Sequence, residues 1–379
     1  MNRQKERSFR ASIARVVAGH DFDVVAKTSA SVVPAVVEVP TVETIAVPMN
    51  TVREAAMQIM TKRDGYTPEE AAQIYEVYAW GQTRGGAQEA QGIVNKVIAP
   101  MPKNPNAKDI AVEQHMPGVI KVDGGQNHAV VVMNQAMEKT MEMANTQGIA
   151  MAGINNVSTS TGANGYFAKE MAKHGYIGIV FSGPAKQFVA PFGSSEAVFS
   201  TNPISIGFPG NESPMTIDMT TAKRALYDFV KAQRAGTSVP ENVGWTKDGR
   251  RTTDPGEILQ GSVDAWGDQR GSAMAAFVER ITGSLVGAAE AGIGDPTNWG
   301  NTIIVINPEA FGWTKEAYAT SGDQFVEQVR RARPAPGVDR VRVPGERGDE
   351  HEKMVQQSGE ITIPTSLYQQ FMEVAGQYQ

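Results

Sequence analysis

The chain has 379 residues, enough for about two or three domains, and a formal net charge of −6, with 41% hydrophobic and 20% charged residues. This composition is typical of a globular protein, and the acidic balance argues against nucleic acid as a partner. The absence of cysteine excludes a disulfide scaffold, an iron–sulfur cluster and a cysteine nucleophile, and it fits a cytoplasmic protein, which we predict. No stretch is apolar enough for a transmembrane segment.

The first 48 residues differ from the rest of the chain. Residues 1–19 carry five basic side chains and a single glutamate. Such an arm can be a targeting leader, a docking segment for a protein partner or membrane surface, or a solubilising tail. Residues 29–48 alternate valine with proline, which predicts an extended linker or an edge strand.

A helical segment follows this linker. Residues 51–62 have a helical apolar pattern, and a second helix is predicted to begin at Pro68. Thr67 is the expected N-cap, Pro68 takes the first helical position and Glu70 completes a capping box. Residues 100–108 are predicted to form a loop.

From residue 118 onward, strands alternate with helices, a pattern that predicts an α/β core. The predicted strands cover residues 119–122, 149–154, 176–181, 215–217, 303–306 and 338–343. The predicted helices cover residues 129–146, 165–174, 271–291, 323–333 and 366–375.

Generic nucleotide and metal motifs are missing. No GxGxxG stands between a strand and a helix, and the chain has no Gly-Lys pair, so neither a dinucleotide fingerprint nor a P-loop is present. The five histidines are scattered without ligand spacing, and we predict no metal site.

Seven short segments in chain order are more informative than any generic motif. They are residues 157–167, 175–179, 190–193, 200–203, 217–221, 253–255 and 344–347. In order and spacing, from about residue 49 to residue 363, the chain resembles the type-2 malate/L-lactate dehydrogenase family. That family includes malate, sulfolactate and ureidoglycolate dehydrogenases and cyclic-imine carboxylate reductases.

The resemblance implies an α/β fold that is not of the Rossmann type. A central cofactor domain is expected at residues 121–299, and a helical dimerisation domain from both chain ends at residues 49–120 and 300–379, with residues 1–48 as an added arm and linker. It also implies a homodimer, a small-molecule substrate and either NAD or NADP as cofactor.

The resemblance further implies a set of cofactor contacts, made by short hydroxyls, backbone groups and a few larger side chains. The expected residues are Ser158, Gly162, Ser182, Thr201, Asn202, Met219, Thr220, Thr221, Glu346 and Arg347. Some of these, such as those in Thr201-Asn202-Pro203, also suit ordinary turns.

The chain departs from the family at the positions expected to carry acid–base chemistry. The family's catalytic histidine and carboxylate-binding arginine correspond to Arg84 and Gln88, and a second family histidine corresponds to Ser160. An arginine stays protonated at every useful pH and cannot act as a base, and a glutamine cannot neutralise a carboxylate. We therefore expect a divergent active site.

Asp218 is retained, and in the family this carboxylate supports the missing histidine. Because an unpaired buried carboxylate is costly, we predict that Asp218 pairs with Arg84. The candidate catalytic residues are Asp218, Arg84, Ser160 and Tyr166.

Two function classes remain open. One is a working NAD(P)-dependent oxidoreductase with a rearranged site, acting on a small 2-hydroxy or 2-oxo acid or a cyclic imine carboxylate. The other is a reassigned or inactive family member that binds a dinucleotide or metabolite, or serves in a protein assembly, without dehydrogenase turnover.

Overall fold

The computed structural model describes residues 43–85, 92–183 and 186–378. The basic arm, most of the predicted linker and Gln88 lie outside the described residues. In the described part of the chain, no helix is long and apolar enough to span a membrane.

Helices dominate the beginning of the described chain. Strand β1 (Thr44–Pro48) leads into α1 (Met49–Gln58), which continues as a π-helical turn to Arg63, and then into α2 (Pro68–Thr83) and α3 (Ile93–Ile98). The predicted capping box is confirmed: the Glu70 amide donates to Thr67 Oγ1 at 3.2 Å, and the Thr67 amide donates to Glu70 Oε2 at 2.9 Å. The cap fixes where α2 starts.

A mixed seven-stranded sheet forms the centre of the described structure. Its strands are β2 (Ala111–Met116), β3 (Val119–Asp123), β4 (Ile149–Val157), β5 (Ile177–Ser182), β7 (Ile204–Phe208), β8 (Met215–Met219) and β12 (Trp299–Ile306), in the order β2-β3-β4-β12-β5-β7-β8. Only β3 and β4 pair in parallel. They are joined by α4 (Ala129–Gln147), which ends at Gly148 as predicted, with a φ of 76° that glycine tolerates.

Strand directions place several carboxyl ends at one edge of this sheet. Both β4 and β5 run antiparallel to β12 and are therefore parallel to each other. Strand β8 runs antiparallel to β7, which runs antiparallel to β5, so β8 also shares the direction of β5. The ends of β4, β5 and β8 consequently meet where β7 and β12 begin.

The two ends of the described chain come together. Strand β1 pairs antiparallel with β13 (Glu360–Pro364), and α11 (Thr365–Gly376) packs on α1 and α3. Helix α10 (Glu346–Ser358) packs on α2. The proposed domain division stays a prediction; its boundary at residue 300 falls inside β12, within the central sheet.

A second, smaller sheet has its own core. Its strands are β6 (Val189–Ala190), β9 (Gly244–Trp245), β10 (Arg251–Thr252) and β11 (Ser262–Asp264), accompanied by α6 (Leu226–Arg234) and α7 (Pro255–Gln260). Phe188, Phe229 and Ile258 are buried between them.

Several sequence predictions need correction. The helix predicted for 271–291 is α8 (Gln269–Thr282), because glycines at 283, 287 and 292 adopt conformations that break a helix. The strand predicted for 338–343 does not form: Arg340 and Arg342 pair with Glu350, and no strand lies alongside. The helix predicted for 323–333 is α9 (Lys315–Arg330), which a Thr314 cap starts earlier. Helices α3, α6, α7 and α10 were not predicted.

Candidate functional site

A cavity of about 1000 Å³ opens at the sheet edge where β4, β5 and β8 end. The end of an open α/β sheet is a common position for a ligand site. The lining residues come from the segments 159–164, 182–183, 200–203, 218–228 and 299–301, together with single residues such as Lys96, Lys186 and Trp266.

Half of the residues predicted for the site line this cavity. They are Asp218, Ser160, Gly162, Ser182, Thr201, Met219 and Thr220. These residues converge because each lies at or just beyond a strand terminus on the shared edge.

A buried polar network forms one wall of the cavity. Asn164 donates to Ser182 Oγ at 2.8 Å and accepts from Thr161 Oγ1 at 2.7 Å. Elsewhere in the lining, Thr220 Oγ1 donates to the Thr201 carbonyl at 2.6 Å. These bonds hold the short hydroxyl side chains in place without charged groups.

Asp218 lies at the end of β8. Its Oδ1 accepts a hydrogen bond of 2.6 Å from Ser205 Oγ on the neighbouring strand β7. Gly165, the first residue of α5 (Gly165–Lys173), lies so close that a Cβ there would come within 2.9 Å of Asp218 Oδ2. The carboxylate is therefore positioned by both the sheet and the start of a helix.

The predicted pair between Asp218 and Arg84 is wrong. The Arg84 guanidinium instead contacts the Asp349 carboxylate, lies 3.3 Å from Glu352 Oε2, and donates to the Gly345 carbonyl at 2.8 Å. All three acceptors lie on or next to α10, a helix that the sequence reading missed. Arg84 does not line the cavity.

Arg84 belongs to a buried charge cluster. Lys169 Nζ contacts Asp349 Oδ1 at 2.9 Å and Glu352 Oε2 at 2.8 Å, so two cations share two carboxylates. The Arg84 side chain is only 3% exposed, and its guanidinium stacks over the Trp80 ring at 4.8 Å. The cluster joins α2, α5 and α10 and neutralises its own charge.

The remaining predicted residues also lie away from the cavity surface. Tyr166 packs its ring against Trp80 and Phe167, and burial raises the pKa of its hydroxyl to about 12. Ser158 Oγ donates to the Asn127 carbonyl, and Thr221 Oγ1 to the Thr201 carbonyl.

Asn202, Glu346 and Arg347 have other surroundings. Asn202 is fully buried with a φ of 42° and donates to the Ala275 carbonyl and to Glu279. Glu346 accepts from the Val343 amide at 2.9 Å, and Arg347 is exposed. As cofactor contacts, these three residues stay predictions.

Lys96 is a cavity residue that sequence reasoning missed. It lies on α3, and its Nζ is 3.4 Å from Ser160 Oγ and 5.3 Å and 5.6 Å from the ring centroids of Tyr78 and Tyr227. The available signal was a lysine inside the short apolar run of residues 93–98.

His128 lies behind this wall and is held neutral. Its Nδ1 accepts the Val130 amide at 3.2 Å as the N-cap of α4, and its Nε2 lies 3.4 Å from the Tyr78 hydroxyl. Burial, reinforced by the charge of Lys96, lowers the pKa of His128 from 6.5 to about 3. The ring is absent from the cavity lining, so it caps a helix rather than facing a ligand.

The charge and shape of the cavity suit a phosphate-containing ligand. Its basic lining residues are Lys96, Lys186, Lys223 and Arg224, whereas its acidic ones are Asp218 and Asp228. Trp266 also lines it, and the buried Nε1 of that indole has no hydrogen-bond partner among the described residues. The volume lies at the upper end of the roughly 300–1,000 Å³ typical of ligand and cofactor sites.

Comparison with known proteins decides the family. A family model for malate/L-lactate dehydrogenase matches residues 47–372. The chain belongs to this family. The match spans both the cavity and the paired chain ends.

Relatives of this malate/L-lactate dehydrogenase family member agree with that assignment. An L-sulfolactate dehydrogenase of Methanocaldococcus jannaschii is 29% identical over 83% of this chain and 92% of its own length. A Δ1-pyrroline-2-carboxylate/Δ1-piperideine-2-carboxylate reductase of Pseudomonas putida is 30% identical over 72% of this chain and 78% of its own length. The crystal structure of a malate dehydrogenase from Entamoeba histolytica superimposes with a TM-score of 0.81 at 23% identity, covering 89% of this chain and 98% of that one. The expected non-Rossmann α/β fold is thereby confirmed.

Proposed function

We propose that this family member is an NAD(P)-dependent oxidoreductase for a small 2-hydroxy or 2-oxo acid or a cyclic imine carboxylate, with a rearranged acid–base site. The observation that carries the proposal is the cavity, in which Asp218 and Ser160 face a hydroxyl-rich wall and a basic rim. Relatives that are dehydrogenases of small hydroxy acids and reductases of cyclic imines support this substrate class.

The residues present fit a nicotinamide dinucleotide. Lys186, Lys223 and Arg224 would offset the diphosphate charge, and the indole Nε1 of Trp266 has no partner among the described residues. Hydroxyls at Ser182, Thr201 and Thr220 would supply the short-range hydrogen bonds. When bound, such a cofactor supplies the hydride acceptor or donor.

Proton transfer falls to this chain's own residues. Oxidation of a hydroxy acid removes a hydride from carbon and a proton from the hydroxyl oxygen, and reduction returns both. We assign the transfer of this proton to the carboxylate of Asp218, which lies at the sheet edge and accepts a hydrogen bond from Ser205. An imine is more easily protonated than a ketone. Reduction of a cyclic imine carboxylate therefore needs less acid catalysis from the cavity, whose lining contains no histidine among the described residues.

Thermal unfolding with each nucleotide tests the proposal. Because a ligand that binds only the folded state stabilises it, NADH or NADPH at 100 times its Kd should add about 2.7 kcal/mol to the free energy of unfolding. Consumption of the reduced cofactor is then followed with 2-oxo acids and with cyclic imine carboxylates. If none of NAD, NADH, NADP and NADPH raises the melting temperature, the proposal is wrong.

A second candidate is a family member that binds these molecules without redox turnover. Arg84 favours it, because this residue, which the resemblance matches to the family's histidine, pairs within the charge cluster and does not line the cavity. Nucleotide stabilisation without turnover of any 2-oxo acid or cyclic imine would support this candidate over the first. We also propose that the chain forms a homodimer, and light scattering would measure its molar mass in solution. A partner for the basic arm and a cytoplasmic location remain proposals as well.

A further inference from the structure

We infer that Lys96 is the carboxylate anchor of the cavity: its ammonium group, with the hydroxyl of Ser160, holds the carboxylate of the small acid while the reacting carbon faces the rest of the site. This inference deepens the proposed function and rests on it for the substrate class.

Among the described residues, no carboxylate lies within 4.0 Å of the Lys96 ammonium group. In this part of the chain its ammonium group donates to Ser160 Oγ at 3.4 Å. Burial of a charge without a counter-charge is costly, and the Lys96 ammonium group is half-buried beside a neutral hydroxyl. An anion that binds next to Lys96 would compensate this charge.

The other basic groups that line the cavity differ from Lys96 in their exposure or in their bonding partners. Lys223 Nζ donates to the Asn242 carbonyl at 2.7 Å, and Arg224 lies 4.0 Å from Asp228. Lys186, Lys223 and Arg224 are exposed at the rim, whereas Lys96 is half-buried. Lys96 is therefore the basic residue that lies next to Ser160 and shares the cavity with Asp218.

Two tyrosine rings lie near the Lys96 ammonium group. The Lys96 ammonium lies 5.3 Å from the Tyr78 centroid and 5.6 Å from that of Tyr227. Cation–π attraction from the two rings limits where the ammonium can move. A compact or planar acid fits between this group and the polar wall, with one oxygen on Lys96 and the other accepting from the Ser160 hydroxyl.

Binding of two carboxylate probes tests the inference. Oxamate mimics a 2-oxo acid, and picolinate mimics a planar cyclic imine carboxylate. Both are titrated calorimetrically into the full chain with saturating NADH or NADPH. A charge-assisted hydrogen bond stabilises by about 1.5–3 kcal/mol, so Lys96→Met should weaken binding of the probes by about 10-fold or more.

Matched variants separate this role from a structural one. Lys96→Arg keeps the charge and should retain most of the affinity, and Lys139→Met, which removes an exposed lysine from α4, should change nothing. Lys96→Met should leave nucleotide affinity within about threefold, since a rim of other cations remains. If Lys96→Met fails to fold, as judged by circular dichroism, Lys96→Gln takes its place.

Equal binding of both probes to wild type and Lys96→Met would overturn the inference, and so would wild type that binds neither probe. If no nucleotide binds, the proposed function fails, and the probes are then titrated alone. In that case a loss of binding on Lys96→Met still supports the anchor, and unchanged binding overturns it.

Discussion

Arg84 contacts Asp349 from 265 positions away in the chain, and this ion pair locks the end of α2 to α10. The pair is buried, with side-chain exposures of 3% and 14%. Lys169 and Glu352 complete the cluster around it. Arg84 is therefore part of a charge cluster that joins three helices, α2, α5 and α10.

Replacing Arg84 by Met should destabilise the protein by about 3 kcal/mol, because Asp349 and Glu352 would then share a single cation in a buried site. Denaturant unfolding measures the change. Arg53→Met, which removes the exposed pair with Glu76, is the control and should cost less than about 1 kcal/mol. Equal losses in the free energy of unfolding for the two variants would contradict a stabilising role of the charge cluster.

Gly348 is the glycine that lets Arg84 approach α10. A Cβ at this position would lie 2.4 Å from Arg84 Nε, so Gly348→Ala should destabilise by about 1–3 kcal/mol through overpacking. In an Arg84→Ala background the same change should be neutral or stabilise by up to about 1 kcal/mol, since alanine favours a helix. Gly376→Ala on α11 is a control with no neighbour within 4 Å. A loss of stability that persists without Arg84 would refute this contact as the cause.

His128 should make stability depend on pH below about 6.5. Its pKa is about 3 in the folded protein and 6.5 in the unfolded chain, so unfolding takes up a proton between these values. The free energy of unfolding should therefore fall as pH is lowered through this window, by at most about 1.4 kcal/mol per pH unit from this group. His128→Asn keeps an N-cap acceptor and should reduce the slope, as measured by urea unfolding between pH 6 and pH 4, the window these pKa values define. If the free energy of unfolding depends on pH equally in the variant and in wild type, His128 is not a buried, neutral side chain in the folded protein.

Asp218→Asn should lower turnover by about 100-fold or more if this carboxylate moves the proton, while nucleotide affinity stays nearly unchanged. Stopped-flow measurement of cofactor oxidation separates the two effects. Ser205→Ala removes the 2.6 Å hydrogen bond and should cause a smaller loss, because the carboxylate remains but is less well positioned. Wild-type turnover in Asp218→Asn would assign the proton to another group or to water.

Sequence alone was sufficient for features that depend on neighbours in the chain or on motifs in order. The Thr67 capping box and the Gly148 stop were predicted correctly, since caps and left-handed turns are local. The order of seven short segments was enough to indicate the family, which the family model over residues 47–372 confirms.

Tertiary structure decided what depends on partners far along the chain. The predicted pair of Arg84 with Asp218 depends on the cost of leaving a carboxylate without a partner. In the structure, α10 brings Asp349 and Glu352 to Arg84. Asp218 accepts a hydrogen bond from Ser205. The sequence did not assign Lys96 to the site, because only folding places it beside Ser160. A composition that is acidic and free of cysteine determined which chemistries were excluded. The charges that face the cavity were set by packing, because a side chain's partner is chosen by distance in space.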